Sequence, residues 1–160
     1  MSESPDAPPA RDVPVFRALT QHECIALLAR NVVGRLAFVR DGRPDVRPLH
    51  YRYEAGWIYG RTSAGSALGA LAGEPWVAFE VDEVAGAFDW ASVVVRGTFH
   101  PLDPATRDGD LGPAAHATSR MRTIVPATLD AGDPAPHRTV LFRISIGEMT
   151  GRRAEPGGAG

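Results

Sequence analysis

Gly34-Arg-Leu-Ala-Phe-Val-Arg-Asp-Gly-Arg-Pro-Asp-Val-Arg-Pro-Leu-His-Tyr-Arg-Tyr-Glu-Ala-Gly-Trp-Ile-Tyr-Gly-Arg-Thr62 is the stretch that decides the fold. Asp41-Gly42 and Glu54-Ala55-Gly56 interrupt alternating, β-rich runs, which is how a chain encodes hairpins rather than helices. The reading is an antiparallel meander. With Glu54-Ala55-Gly56 as a three-residue loop, Tyr53 faces Trp57, Tyr51 pairs with Tyr59, and Leu49 pairs with Arg61. Side chains alternate by two along a strand, so Arg47, Leu49, Tyr51, Tyr53, Trp57, Tyr59 and Arg61 then share one face. That face is aromatic at one end and cationic at the other. It suits a planar ring system bearing a phosphate, because rings pack on aromatic groups and guanidinium groups bind phosphate oxygens. The same residues also read as the core and rim of an ordinary sheet.

Gly65-Ser66-Ala67-Leu68-Gly69-Ala70-Leu71-Ala72 follows, with the apolar spacing of a short helix, a stop at Gly73 and Pro75 beyond it. Its first N–H groups need partners, and a phosphate can supply them with help from the Ser66 hydroxyl. A small connecting helix packed by Leu68 and Leu71 is the alternative. Upstream, Thr20-Gln-His-Glu23 reads as a capping box that opens a helix through Cys24, Ile25, Leu27 and Leu28 to about Arg30. Downstream, Trp76–Asp82 and Ser92–His100 are the strongest strands, joined by a loop from Glu83 to Asp89. Pro101 to Pro113 is turn-rich, Ala114 to Ile124 suits a short helix, and Thr139–Ile146 is the final strand.

Taken together, Gly34-Arg-Leu-Ala-Phe-Val, Pro44-Asp-Val-Arg-Pro-Leu-His-Tyr, Tyr59-Gly-Arg-Thr, Gly65-Ser66, Val77-Ala-Phe-Glu-Val-Asp-Glu83, Trp90-Ala-Ser-Val-Val-Val-Arg-Gly97 and Thr150-Gly-Arg-Arg153 resemble the pyridoxamine 5′-phosphate oxidase-like family. This is the flavin-binding split β-barrel group that includes nitroimidazole-resistance-type reductases. The resemblance runs from about Phe16 to Leu102 and resumes from about Phe142 to Arg153. It implies a mainly β chain with short helices, built as a six-stranded antiparallel split barrel. It further implies a homodimer that holds flavin mononucleotide (FMN) in a groove between subunits. Carried over by position, Arg47, Pro48 and Leu49 line the flavin ring edge. Arg61 and Thr62 approach the phosphate or ribityl chain, and Gly65 with Ser66 closes the phosphate site. Trp90, Ser92 and Val93 match a stretch that enters the same groove, commonly from the partner subunit.

Two departures shape the functional expectation. Relatives carry a lysine directly after the Gly-Ser/Thr pair, where this chain has Ala67, so the arginines must carry the charge. True pyridoxamine-phosphate oxidases also use further basic residues near the C-terminus, and here only Arg152 and Arg153 precede Glu155-Pro-Gly-Gly-Ala-Gly160. Vitamin B6 oxidation is therefore not the first reading. The expectation is an FMN-dependent oxidoreductase acting on a small organic substrate. The alternatives are a deazaflavin F420- or haem-binding barrel, or a non-catalytic flavin-binding or regulatory protein.

Composition bounds the rest. The 160 residues make one domain, expected over 15–153 with tails at 1–14 and 154–160. The 17 basic residues are all arginine; against 19 acidic ones they leave a net charge of -2, which offers no footprint for nucleic acid. The single Cys24 excludes an intrachain disulfide and agrees with a reducing, cytoplasmic setting. Met1 to Pro14 is rich in proline and lacks an apolar run, so it reads as neither signal peptide nor membrane span. His22, His50, His100, His116 and His137 are scattered without metal-site spacing. His50 is the one to weigh as a proton donor, on the face opposite Arg47 and towards either the barrel interior or the dimer partner. No Gly-x-Ser-x-Gly elbow supports hydrolysis.

Overall fold

The computed structural model describes residues 13–103 and 112–158. Its elements run β1 (Val15–Ala18), α1 (Gln21–Arg30), β2 (Val33–Arg40), β3 (Arg43–Glu54), β4 (Trp57–Thr62), α2 (Ser66–Gly73), β5 (Trp76–Gly86), β6 (Asp89–Leu102), α3 (Pro113–Arg122) and β7 (Val140–Glu155). All strands pair antiparallel in the order β1-β7-β4-β3-β2-β5-β6, and β6 pairs again with β7 to close a ring. The chain is a split β-barrel. β3 marks the split: residues up to His50 pair with β2, and Tyr51 to Glu54 pair with β4.

Seven strands stand where six were expected, because Val15–Ala18 adds a short strand beside the extended end of β7. The final strand does not stop at Ile146; its register shifts at Gly147, and it continues to Glu155 along β6. Val15–Ala18 then pairs with Arg152–Glu155, so Ala154 and Glu155, expected in the C-terminal tail, are strand residues. Between β5 and β6 the expected loop is mostly strand too, closing on Ala87-Phe88 between paired Gly86 and Asp89. The expectation of a tail over 1–14 falls almost wholly outside the described residues, as do 104–111 of the turn-rich segment.

The β3–β4 register differs from the sequence reading by one residue on β4. Ala55 and Gly56 take φ of 47° and 84°, a two-residue turn of the primed type, which pairs Glu54 with Trp57, Tyr53 with Ile58 and Tyr51 with Gly60. Such a slip turns every side chain of one strand over. Trp57, Tyr59 and Arg61 therefore face outward, while Leu49 and Tyr51 face the interior. The shared aromatic–cationic face does not form.

The interior packs Tyr51, Phe79, Phe142, Ile58 and Ile144 with Cys24, Leu27 and Leu28 of α1. Each large side chain so buried contributes about 1.5–3 kcal/mol. Gly34 and Gly60 admit the rings of Phe79 and Phe142, which a Cβ at either position would strike. α1 seals one end as its capping box predicts: the Glu23 N–H donates to Thr20 Oγ1 at 3.2 Å. The Tyr51 hydroxyl donates to the Leu28 carbonyl at 2.7 Å, and burial pushes its ionisation upward. On the outer face Tyr59 and Leu141 pack with Ala117 and Met121 of α3 as a second cluster.

Candidate functional site

The groove that best suits a ligand lies where the β2–β3 turn meets the start of α2. Asp41 and Gly42, with φ of 52° and 70°, form a two-residue turn that sets Arg40 directly opposite Arg43. Two like charges in one cross-strand pair are unfavourable unless an anion or a carboxylate offsets them. Asp45 does so in part, with Oδ2 lying 3.4 Å from Arg40 Nη2 and 3.6 Å from Arg47 Nη2. Arg47 also stacks over Phe38, its Cζ 5.6 Å from the ring centroid. Arg40 Nη1 reaches the Ser66 hydroxyl at 3.4 Å, in the first turn of α2.

α2 presents that end openly. Its N-cap is Gly65, held at φ 152° and ψ -161°, a region only glycine visits readily, and no side chain caps the helix. Ala67, at the position where the resemblance expects a lysine, is 6 % exposed and packs inward with Leu71. A groove of about 400 Å³ runs from Arg40 and Ser66 between the Asp41-Gly42 turn and the Gly69, Ala70 and Gly73 side of the helix. A second of about 400 Å³ shares Arg40 and Asp41 and extends to Arg43, Pro44 and Asp45. No sequence motif marks Arg40. The signal was available, since a two-residue Asp-Gly turn places the flanking residues opposite each other.

Arg61 is elsewhere. Its guanidinium lies on the outer face, 5 % exposed, in a bidentate pair with Asp133. Nη1 bonds Oδ2, and Nη2 donates to Oδ1 at 2.8 Å. Asp133 also accepts the N–H groups of Leu129 and Ala135. The hydrogen bond from Arg61, opposed by burial and aided by those backbone donors, holds the Asp133 carboxyl well below the usual range. This arginine engages the loop between α3 and β7, whereas the sequence reading expects it at the phosphate or ribityl chain. The reason is the register of β4.

Of the other predicted site residues, Leu49 is buried in the barrel, Pro48 is exposed, and Thr62 ends β4 beside Ser63 to Ser66. Val93 is fully buried, between Val81 of β5 and Gly151 of β7 in the sheet. Trp90 and Ser92 point outward from β6; the Ser92 hydroxyl donates to Glu80, which also binds Arg35. In the register Arg35–Glu80–Val94, Arg40 lies towards one end of the sheet and Trp90 towards the other. One chain therefore gathers Arg40, Arg47 and Ser66, while Leu49, paired with Gly34, lies further along β3 in the core, and Trp90 and Ser92 stand apart on β6. His50 is exposed on the outer face rather than inside the barrel. Among the described residues, no cluster of three or more His, Cys, Asp or Glu side chains could hold a metal. No helix among them is long and apolar enough to cross a membrane.

Comparison with known proteins agrees with this architecture. An uncharacterized protein of Rhizobium meliloti (strain 1021) is 28% identical over 147 residues, 86% of this chain and 95% of that protein. A FAD-binding protein from Mesorhizobium loti is 32% identical, with 89% of this chain and 99% of that one aligned at a TM-score of 0.71. A putative 5-nitroimidazole antibiotic resistance protein from Bacteroides thetaiotaomicron, 16% identical, shares the fold over 97% of this chain and 99% of its own at a TM-score of 0.66. The sequence profile of the family described as pyridoxamine 5′-phosphate oxidase matches residues 20–153, and the chain belongs to that family.

Proposed function

We propose that this protein binds a flavin nucleotide at the mouth formed by Arg40, Arg47 and Ser66 and acts as a flavin-dependent oxidoreductase on a small organic molecule. One observation carries the reading: Arg40 sits opposite Arg43, shares Asp45 with Arg47 and meets Ser66 at the uncapped start of α2. A phosphate there offsets the like-charge pair and satisfies first-turn N–H groups. The bound flavin supplies hydride acceptance and release. The chain's own groups hold it: Arg40 and Ser66 take the phosphate, Arg47 adds charge from its perch on Phe38, and Pro48 and Leu49 border the ring. Gly65 lets the backbone approach.

The reading includes a homodimer with a shared groove. The outer face of β2, β5 and β6 is apolar at both ends, with Trp76 66% and Phe88 54% exposed, and polar at Arg35, Glu80 and Asp82 in between. A two-fold axis through that centre brings the partner subunit's Trp90 end beside this chain's Arg40 end, joining the two halves of the predicted site. Buried, unpaired Cys24 suits a reducing compartment, and we place the protein in the cytoplasm.

FAD is the second reading, favoured by the Mesorhizobium loti relative and by the open groove that continues past Ser66 along Gly69 and Gly73. The absorption spectrum of the purified protein, followed by titration with FMN, FAD and riboflavin, tests both. Flavin bands and tighter binding of the phosphorylated forms are expected. A haem Soret band, or riboflavin bound as tightly as FMN, would overturn the proposed site.

A further inference from the structure

Arg61 and Asp133 form a buried ion pair that the proposed binding chemistry does not use. Arg61 is the penultimate residue of β4, and its strand partner is Leu141; the last rung joins Thr62 to Val140, where β7 begins. Strand ends fray first, because the final rungs have neighbours on one side only. Asp133 acts against that fraying from outside the sheet. Its carboxylate receives both terminal nitrogens of Arg61 and the N–H groups of Leu129 and Ala135, so one side chain fastens the end of β4 to the loop that leads into β7. Directly beyond this fastening come Ser63, Ala64 and Gly65, and then Ser66 at the mouth of the groove. The Gly65 carbonyl accepts the Gly69 N–H at 3.1 Å, the first hydrogen bond of α2.

We infer that the Arg61–Asp133 pair is a positioning device: it sets the Thr62–Ser66 segment so that the Ser66 hydroxyl and the first turn of α2 meet the flavin phosphate. The inference rests on the flavin reading above. Arg61 does not touch the ligand in this account; it acts through the chain it anchors. The geometric demand on the phosphate contacts is tight, because a charge-assisted hydrogen bond weakens steeply once the donor is displaced.

The test uses the full chain carrying Asp133→Asn, which keeps an acceptor oxygen for one of the two loop N–H groups, turns the other oxygen into an NH2 donor, and removes the charge that grips Arg61. Below the melting temperature, affinity for FMN should fall roughly tenfold or more, the worth of about one charge-assisted hydrogen bond, while riboflavin changes less than about twofold. Amide hydrogen exchange without ligand should quicken at Thr62 to Leu68 and stay unchanged across β5 and β6. Equal losses for the two flavins would mean that the pair serves the fold alone. Unchanged exchange over Thr62 to Leu68, or tighter FMN binding because the freed Arg61 reaches the phosphate, would also overturn the inference. A wild-type protein that binds neither flavin would instead sink the functional reading, and exchange would then judge the fastening by itself.

Discussion

On the outer face of β4, Arg61 meets Asp133 with both terminal nitrogens engaged and both side chains almost wholly out of solvent. At the end of β2, Arg40 shares one oxygen of Asp45 with Arg47 at 3.4 and 3.6 Å, and all three remain partly exposed. The ingredients match, and the outcomes differ through geometry. A closed bidentate pair buried from solvent presents no donor to a ligand, and losing one partner strands a buried charge. An open pair that splits one carboxylate between two guanidinium groups leaves donors pointing into the groove and contributes little to stability. An arginine's chemistry is available to a ligand only where its surroundings have not already used it.

The sharpest way to break this contrast is Arg61→Ala. It leaves Asp133 buried with backbone donors alone, and the melting temperature should fall by about 6–20 °C. Arg40→Ala, at an exposed site, should move it by no more than about 2 °C. Differential scanning calorimetry of the two variants decides, and similar losses would erase the distinction. Ligand binding should invert the order. Arg40→Ala removes a charge-assisted phosphate contact worth about 1.5–3 kcal/mol, so FMN should bind roughly 10- to 150-fold more weakly, with riboflavin affected far less by fluorescence titration.

Smaller effects sharpen the comparison. Asp45→Asn takes away the carboxylate that competes with a phosphate for Arg40 and Arg47, and affinity for FMN should rise about 1.5- to 5-fold, the worth of an exposed ion pair. Weaker binding would show that Asp45 orients the arginines more than it occupies them. Glu83 supplies the smallest test. Arg30 donates to it twice, at 2.6 and 2.8 Å, and with Asn31 holds its carboxyl down at about 2. A depressed folded value means that the stabilisation is fully present above the ordinary 4.5 and is lost as pH falls towards 2. Between pH 5 and pH 2.5 the wild type should therefore lose about 1–2 °C more than Glu83→Gln, because the pair is exposed. Parallel melting curves for the two proteins would refute it.

Local chemistry made much of this barrel readable. Thr20 and Glu23 announced α1, Asp41-Gly42 announced the first hairpin, and β-branched runs announced β5 and β6. The β3–β4 turn misled because alanine rarely takes positive φ, so Glu54-Ala55-Gly56 reads as a longer loop, although Ala55 turns at φ 47°. That residue of difference sent Arg61 outward to Asp133, 72 positions away, a pairing that no local pattern encodes. The end of β7 was hidden for a related reason: Gly147-Glu148 looks like a stop, yet it marks a register shift within a continuing strand. The mouth proposed above for the phosphate is only partly marked in the sequence. Gly65, Ser66 and Arg47 carry motif positions, whereas Arg40 acquires its role from the turn that follows it.

β7 also governs the order in which this barrel can be completed. It lies between β4 and β6 over its first half and between β1 and β6 over its second, and it follows every one of them along the chain. During translation the edges of β4 and β6 thus emerge unpaired and wait for a strand that has yet to be made. Open edges of that kind invite pairing with other chains. At about 5–20 residues per second, the 37 residues between Leu102 and Val140 prolong the exposure by some seconds. Yield of properly closed protein should therefore respond to the pace of synthesis and to crowding by neighbouring nascent chains.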